Sequence, residues 1–111
     1  MKKSDEQWYF LQDVATLIQF AKMHNIKLTG GELYRTQYQQ AKYLKDGKSK
    51  TMHSKHLERL AIDFNFFIDG ALTYFKEDIQ ILGDYWEVLD DKNEWGGNWN
   101  FQDCPHFQRN I

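Results

Sequence analysis

Two short segments, far apart in the chain, hold side chains suited to hydrolytic chemistry. Ser54-Lys55-His56 runs on to Ala61-Ile62-Asp63, and Asp103-Cys104-Pro105-His106 lies near the other end, so together they supply two imidazoles and two carboxylates. A catalytic zinc is typically held by three protein groups, with a fourth position left open. His56, Asp63 and His106 would fill the three ligand roles, and Asp103 is then left over as a base.

The composition admits such a site. With 111 residues, 41% of them apolar and 16% aromatic, the chain has material for one core, and residues 1–111 are expected to form one monomeric domain. A net charge of −2 with scattered lysines and arginines gives no basic stripe, which argues against a nucleic-acid partner. Cys104 stands alone, so no disulfide framework exists, and it reads as a half-buried small residue beside Pro105. Met1-Lys2-Lys3-Ser4-Asp5-Glu6 lacks the apolar core of a signal peptide, and no apolar run is long enough to enter a membrane. Synthesis in the cytoplasm is expected, with any action outside it depending on another route.

The positioning elements follow from periodicity. Phe10, Leu11, Val14, Leu17, Ile18 and Ala21 recur at helical spacing behind a Ser4/Gln7 capping box, predicting a helix that ends near His24-Asn25. Past Gly30-Gly31, Glu32-Leu33-Tyr34-Arg35 alternates as a short strand, and Thr36 can cap a helix over Gln37 to Lys45 that closes at Asp46-Gly47. The polar stretch Lys48 to Lys55 reads as a loop delivering His56. Leu60 to Ile68 is apolar apart from Asp63 and Asn65, as in a central strand buried on both faces. A carboxylate inside such a run is costly unless paired or metal-bound, which makes Asp63 the most informative single residue. Asp69-Gly70 is a turn, Asp78 to Leu89 a third helix, Glu94 to Trp99 a glycine-broken aromatic loop, and Pro105-His106-Phe107 the start of a last strand. Trp95, Trp99 and Phe101 read as local core, and His24 and His53 as ordinary polar residues.

Ser-x-His, an Asp seven residues after the His with Ala two before it, then Trp-Gly-Gly and Asp-x-Pro-His-Phe, resembles the D-alanyl-D-alanine carboxypeptidase and phage L-alanyl-D-glutamate endopeptidase family of zinc peptidases, endolysin-like members above all. The resemblance spans roughly residues 31–107. It implies an α+β fold, a small antiparallel sheet flanked by helices, of the hedgehog/DD-peptidase type. It further implies zinc on His56, Asp63 and His106, Asp103 as general base, Arg35 steadying the scissile carbonyl oxygen, and Ser54 in support. Arg59 stands where many members have glycine, and the base is Asp where several have Glu.

Elementary chemistry agrees with these roles. Zinc lowers the pKa of water to about 7 and polarises a carbonyl, and a carboxylate must then carry the proton. An extended backbone sends residues 103 and 106 to opposite faces, so Asp103 and His106 can share a site only if Cys104-Pro105 turns the chain. Arg35 offers a permanent charge on a planar fork. Glu94 and Glu87 are alternative bases, Glu87 being placed on the solvated side of the third helix. The expected activity is zinc-dependent hydrolysis of a peptidoglycan stem peptide, as endopeptidase or D,D-carboxypeptidase in a phage lysis setting. The alternative is a zinc-stabilised module that binds wall peptides without cutting them.

Overall fold

A computed structural model describes residues 1–111. Helix α1 (Lys3–Met23) buries Phe10, Val14, Leu17 and Ala21, while Leu11 and Ile18, one position further round, stay largely exposed. Its cap is not the Ser4/Gln7 box. The backbone N–H of Lys2 donates to the Asp5 carboxylate at 3.0 Å, Ser4 lies inside the helix, and the Gln7 amide donates to the Glu58 carbonyl at 2.8 Å. Asn25, at φ 60°, ends the helix and turns the chain into β1 (Ile26–Gly30).

The strand expected over Glu32 to Arg35 is displaced to β1. Residues 31–36 are irregular because their backbone groups are divided between two partners. Gly31 N–H donates to the Asp63 carbonyl and Asp63 N–H to that of Glu32, at 2.8 and 2.9 Å, but Arg35 N–H donates to the His56 carbonyl. Gly31 is required by this close approach, since a Cβ there would lie 2.7 Å from the Asp63 carbonyl oxygen. Helix α2 (Gln37–Lys45) has the expected Thr36 cap, whose side chain accepts from Gln39 N–H at 3.1 Å.

Strand β2 (Ala61–Ile68) is the centre of the molecule. Asp69 and Gly70, both at positive φ, form the tight two-residue turn that leads into β3 (Ala71–Thr73). Helix α3 (Lys76–Leu89) follows, then β4 (Asn93–Trp95), which overlaps the start of the stretch expected to be loop, and β5 (His106–Arg109). The sheet is antiparallel in the order β1-β2-β5-β4, with β3 on the far half of β2. The architecture is α+β.

Strand β2 is not buried on both faces. Phe64 and Phe66 turn to the helices and join Phe107, the apolar stripe of α1, and Ile79, Leu82 and Trp86 of α3 in one core. Asp63 and Asn65 turn the other way, where no helix covers them fully. No helix is long and apolar enough to cross a membrane.

A charged cluster clamps the core at one end. Arg109, almost fully buried at the end of β5, donates to Glu6 of α1 at 2.8 Å and pairs with Asp90 at 2.9 Å, and Lys92 reaches Glu6 at 2.7 Å. Lys92 and Arg109 hold the Glu6 carboxyl below its ordinary value of 4.5. A carboxyl with a depressed folded-state pKa adds stability above its unfolded pKa and loses it as pH falls through the folded one. Glu6→Gln is therefore expected to melt below wild type at pH 7, with the gap narrowing as pH drops below about 4.5. Thermal melts of both proteins between pH 3 and 7 provide the check.

Candidate metal centre

The 3-10 helix Lys55–Glu58 carries His56, so this residue sits on a rigid turn and not in the loop that precedes it. The Ser54 hydroxyl caps the turn by accepting from His56 N–H at 3.2 Å. Arg59 closes it in the left-handed region at φ 57°, ψ 36°. This conformation explains why glycine suits the position, and Arg59 offsets its cost by laying its guanidinium 4.0 Å from the Tyr34 ring centre.

Asp63 and His106 face each other as a cross-strand pair between β2 and β5. The Cys104-Pro105 turn forms as required, His106 N–H donating to the Asp103 carbonyl at 3.0 Å, and it brings the Asp103 carboxylate to 3.9 Å from His106 Nδ1. Gly96 makes room for this turn. A Cβ there would overlap the Asp103 carbonyl oxygen and lie 3.1 Å from the His106 Cβ.

One ligand atom from each of His56, Asp63 and His106 comes within 4.8 Å of the others. Each ring is oriented by its outer nitrogen: His56 Nδ1 lies 2.9 Å from the Leu33 carbonyl, and His106 Nε2 lies 2.8 Å from Gln108 Oε1. The inner nitrogens, His56 Nε2 and His106 Nδ1, stand 3.4 and 3.3 Å from Asp63 Oδ1. His56 Nε2 and Asp63 Oδ1 are nonetheless buried without a hydrogen-bond partner. A buried orphaned lone pair is expensive, and acceptors converging on one point suit a cation. The donor set fits zinc, with outer partners of the kind that fix imidazole ligands.

Burial tends to raise the Asp63 carboxyl, but the His106 and His56 rings outweigh it and hold the group well below the usual carboxylate range. Burial works against the His106 imidazolium, yet Asp63 and Gln108 raise its pKa overall. Asp103 moves the other way. Burial pushes its carboxyl up, with His106 opposing and the Asp63 charge adding to the rise.

The triad lies beside a cleft of about 350 Å³ whose lining includes Arg35, Ser54, His56, Trp99, Asp103 and His106. The Arg35 guanidinium is gripped by the Glu32 carboxylate, donates to Gln40 Oε1 at 2.6 Å and rests over the Tyr43 ring. Glu32, Gln40 and Gln108 had no sequence signal, because their roles depend on contacts between separate segments. Glu94 accepts from the Trp99 indole and, at 2.8 Å, from the Asn110 amide. Glu87 is not on a solvated side. It accepts the Trp95 backbone N–H at 3.0 Å and contacts the Asn98 amide. Trp95 is core and Trp99 lies against His106, but Phe101 is exposed and does not belong to the core; Cys104 is buried rather than half-buried.

The sequence matches the D-alanyl-D-alanine carboxypeptidase family over residues 47–109, more than half of the chain and every residue of the triad. The chain belongs to this peptidase family. The fold is similar to the crystal structure of the Serratia marcescens L-Ala D-Glu endopeptidase ChiX, with a TM-score of 0.71 and 22% identity over 98% of this chain and 86% of ChiX. None of the curated proteins compared with it by sequence matches.

The left-handed Arg59 generates a stability prediction. Arg59→Gly removes a backbone cost and should melt no lower than wild type, whereas Arg59→Val, β-branched and stripped of the stacking, should lose about 1–2 kcal/mol. Urea denaturation of the three proteins measures both.

Proposed function

We propose that this protein is a zinc-dependent peptidase that hydrolyses a peptide bond in peptidoglycan stem peptides, as an endopeptidase of the endolysin type. The observation that carries the reading is the set of inward-facing His56, Asp63 and His106 atoms, two of them buried without partners, beside a partly exposed Asp103. ChiX, described as an L-Ala D-Glu endopeptidase, supports the class of bond. A phage lysis setting belongs to the same proposal, with the protein reaching the wall on release or by another export route.

Zinc in such a site supplies Lewis acidity and lowers the pKa of water to about 7. The remaining work belongs to the chain. Asp103 takes the proton of the attacking water and returns it to the leaving amine, and a carboxyl already raised by burial is suited to both halves of that transfer. Arg35, held by Glu32 and Gln40, faces the carbonyl oxygen with the donor its partners leave unspent, so its orientation is fixed before charge develops. Trp99, packed against His106, shields one side of the site from water.

The ligand assignment requires one tightly bound zinc per chain, lost in His56→Ala, Asp63→Ala and His106→Ala. Elemental analysis after zinc reconstitution should show wild type loaded and each variant depleted; full occupancy in the variants would overturn the assignment. Zinc should also raise the melting temperature of wild type, since binding to the folded state alone stabilises it.

Asp103→Asn keeps size and hydrogen-bonding capacity but removes the base. Zinc content and melting temperature should persist while release of peptides from purified peptidoglycan, followed by mass spectrometry, falls about a hundred- to ten-thousandfold. Retained turnover with Glu94→Gln inactive would move the base to Glu94. No release by zinc-loaded wild type from walls of several chemotypes would favour the binding-module reading.

A further inference from the structure

The cleft has one wall whose chemistry the hydrolytic reading leaves unused. Residues 47–55 carry Lys48, Lys50 and Lys55 with no aspartate or glutamate, in a chain whose net charge is −2. All three lysines line the cleft. Lys55 is paired with Glu58 at 3.1 Å, but Lys48 and Lys50 have no acidic partner in the structure. Lys50 instead holds its ammonium 5.0 Å from the Phe101 ring centre, reaching across to the lip that bears Trp99 and Asp103. Two unpaired cations therefore project from one wall of a concave site.

The backbone beneath them is fastened to the site. Gln40 is the one buried residue of α2 and is fully enclosed. Its amide nitrogen donates to the Ser49 hydroxyl at 2.8 Å and to the Thr51 carbonyl, and its oxygen accepts from Arg35 at 2.6 Å. Lys48 and Ser49 N–H groups donate to the Tyr43 carbonyl at 2.8 and 3.1 Å. A single buried amide thus sets the lysine-bearing loop at a fixed distance from Arg35. An unanchored lysine pair would only raise the local concentration of anions, whereas an anchored one can select where along a bound peptide the negative charge falls.

We propose that Lys48 and Lys50 form a subsite for a free carboxylate of the substrate, placed close to the scissile bond. This rests on the peptidase reading for its substrate class. The preferred substrate is an acidic peptide, and amidation of the carboxylate nearest the cleaved bond weakens it.

The test uses two synthetic stem peptides that differ only in whether that carboxylate is free or amidated. Binding is measured first, with zinc withheld so that no cleavage occurs, by titrating each peptide and following tryptophan fluorescence, since Trp99 lines the cleft. Wild type should bind the free acid about fivefold or more tightly, the scale expected of two partly exposed ion pairs, and the preference should shrink as salt rises. Lys48→Gln/Lys50→Gln should bring the two dissociation constants together, with melting temperature as the control for folding. The ratio of kcat/KM values on zinc-loaded protein should follow the same pattern. Equal binding of both peptides by wild type, or a preference that survives in the folded double variant, overturns the proposal. If the acid preference is present and lost in the variant while wild type cleaves neither peptide, the subsite stands and the peptidase reading fails.

Discussion

Strand β2 has to satisfy two faces that want opposite things, and the rest of the structure follows from how it does so. Its alternation sends Phe64 and Phe66 into the helix-covered core and Asp63 to the opposite face, so a shift of one residue would bury the carboxylate and expose the phenylalanines. The register against β5 is fixed by the same division. Phe107 lies in the core because its partner is Ile62, and His106 meets Asp63 because its neighbour is Phe107. Hydrophobic packing on one side of the sheet therefore determines the geometry of the polar site on the other.

That site is held from outside more than from within. The two imidazoles have their outer nitrogens on Leu33 and Gln108, Arg35 is held by Glu32 and Gln40, and His56 Nε2 and Asp63 Oδ1 are left facing one another without partners. An arrangement of this kind costs stability in a protein that does not use it. Its persistence inside a well-packed frame is the physical argument for a cation, and for a substrate pocket that is organised before anything enters it.

What could be read from the sequence was whatever depends on local pattern. Asp63 stood out as a charge in an apolar run, Cys104-Pro105 as the turn that Asp103 and His106 need, α1 and the body of α3 by periodicity, α2 by its Thr36 cap and closing turn, and β2 as an apolar run. The short strands β1, β3 and β4 were lost because runs of three to five residues owe their state to their partners and not to propensity. The supporting residues were hidden for a related reason. Glutamine and glutamate are ordinarily solvated, and nothing in the string marks Gln40 as enclosed or Glu87 as the acceptor for Trp95. The left-handed Arg59 is a milder case: the departure from glycine was visible, but the conformation that gives it meaning was not.

Strand β5 occupies an interior place in the sheet, between β2 and β4, although its residues come late in the chain. During synthesis β2 and the helices can collapse early, but Asp63 must wait for His106, and Glu6 for Arg109, a contact spanning 103 positions. Such long loops are slow to close, and the sheet stays split down its middle until they do. Until that closure His56 and Asp63 stand on one side of the divide and His106 on the other. A chain in which β5 has not yet paired cannot present all three ligand groups, so the site and the closed sheet form in a single step.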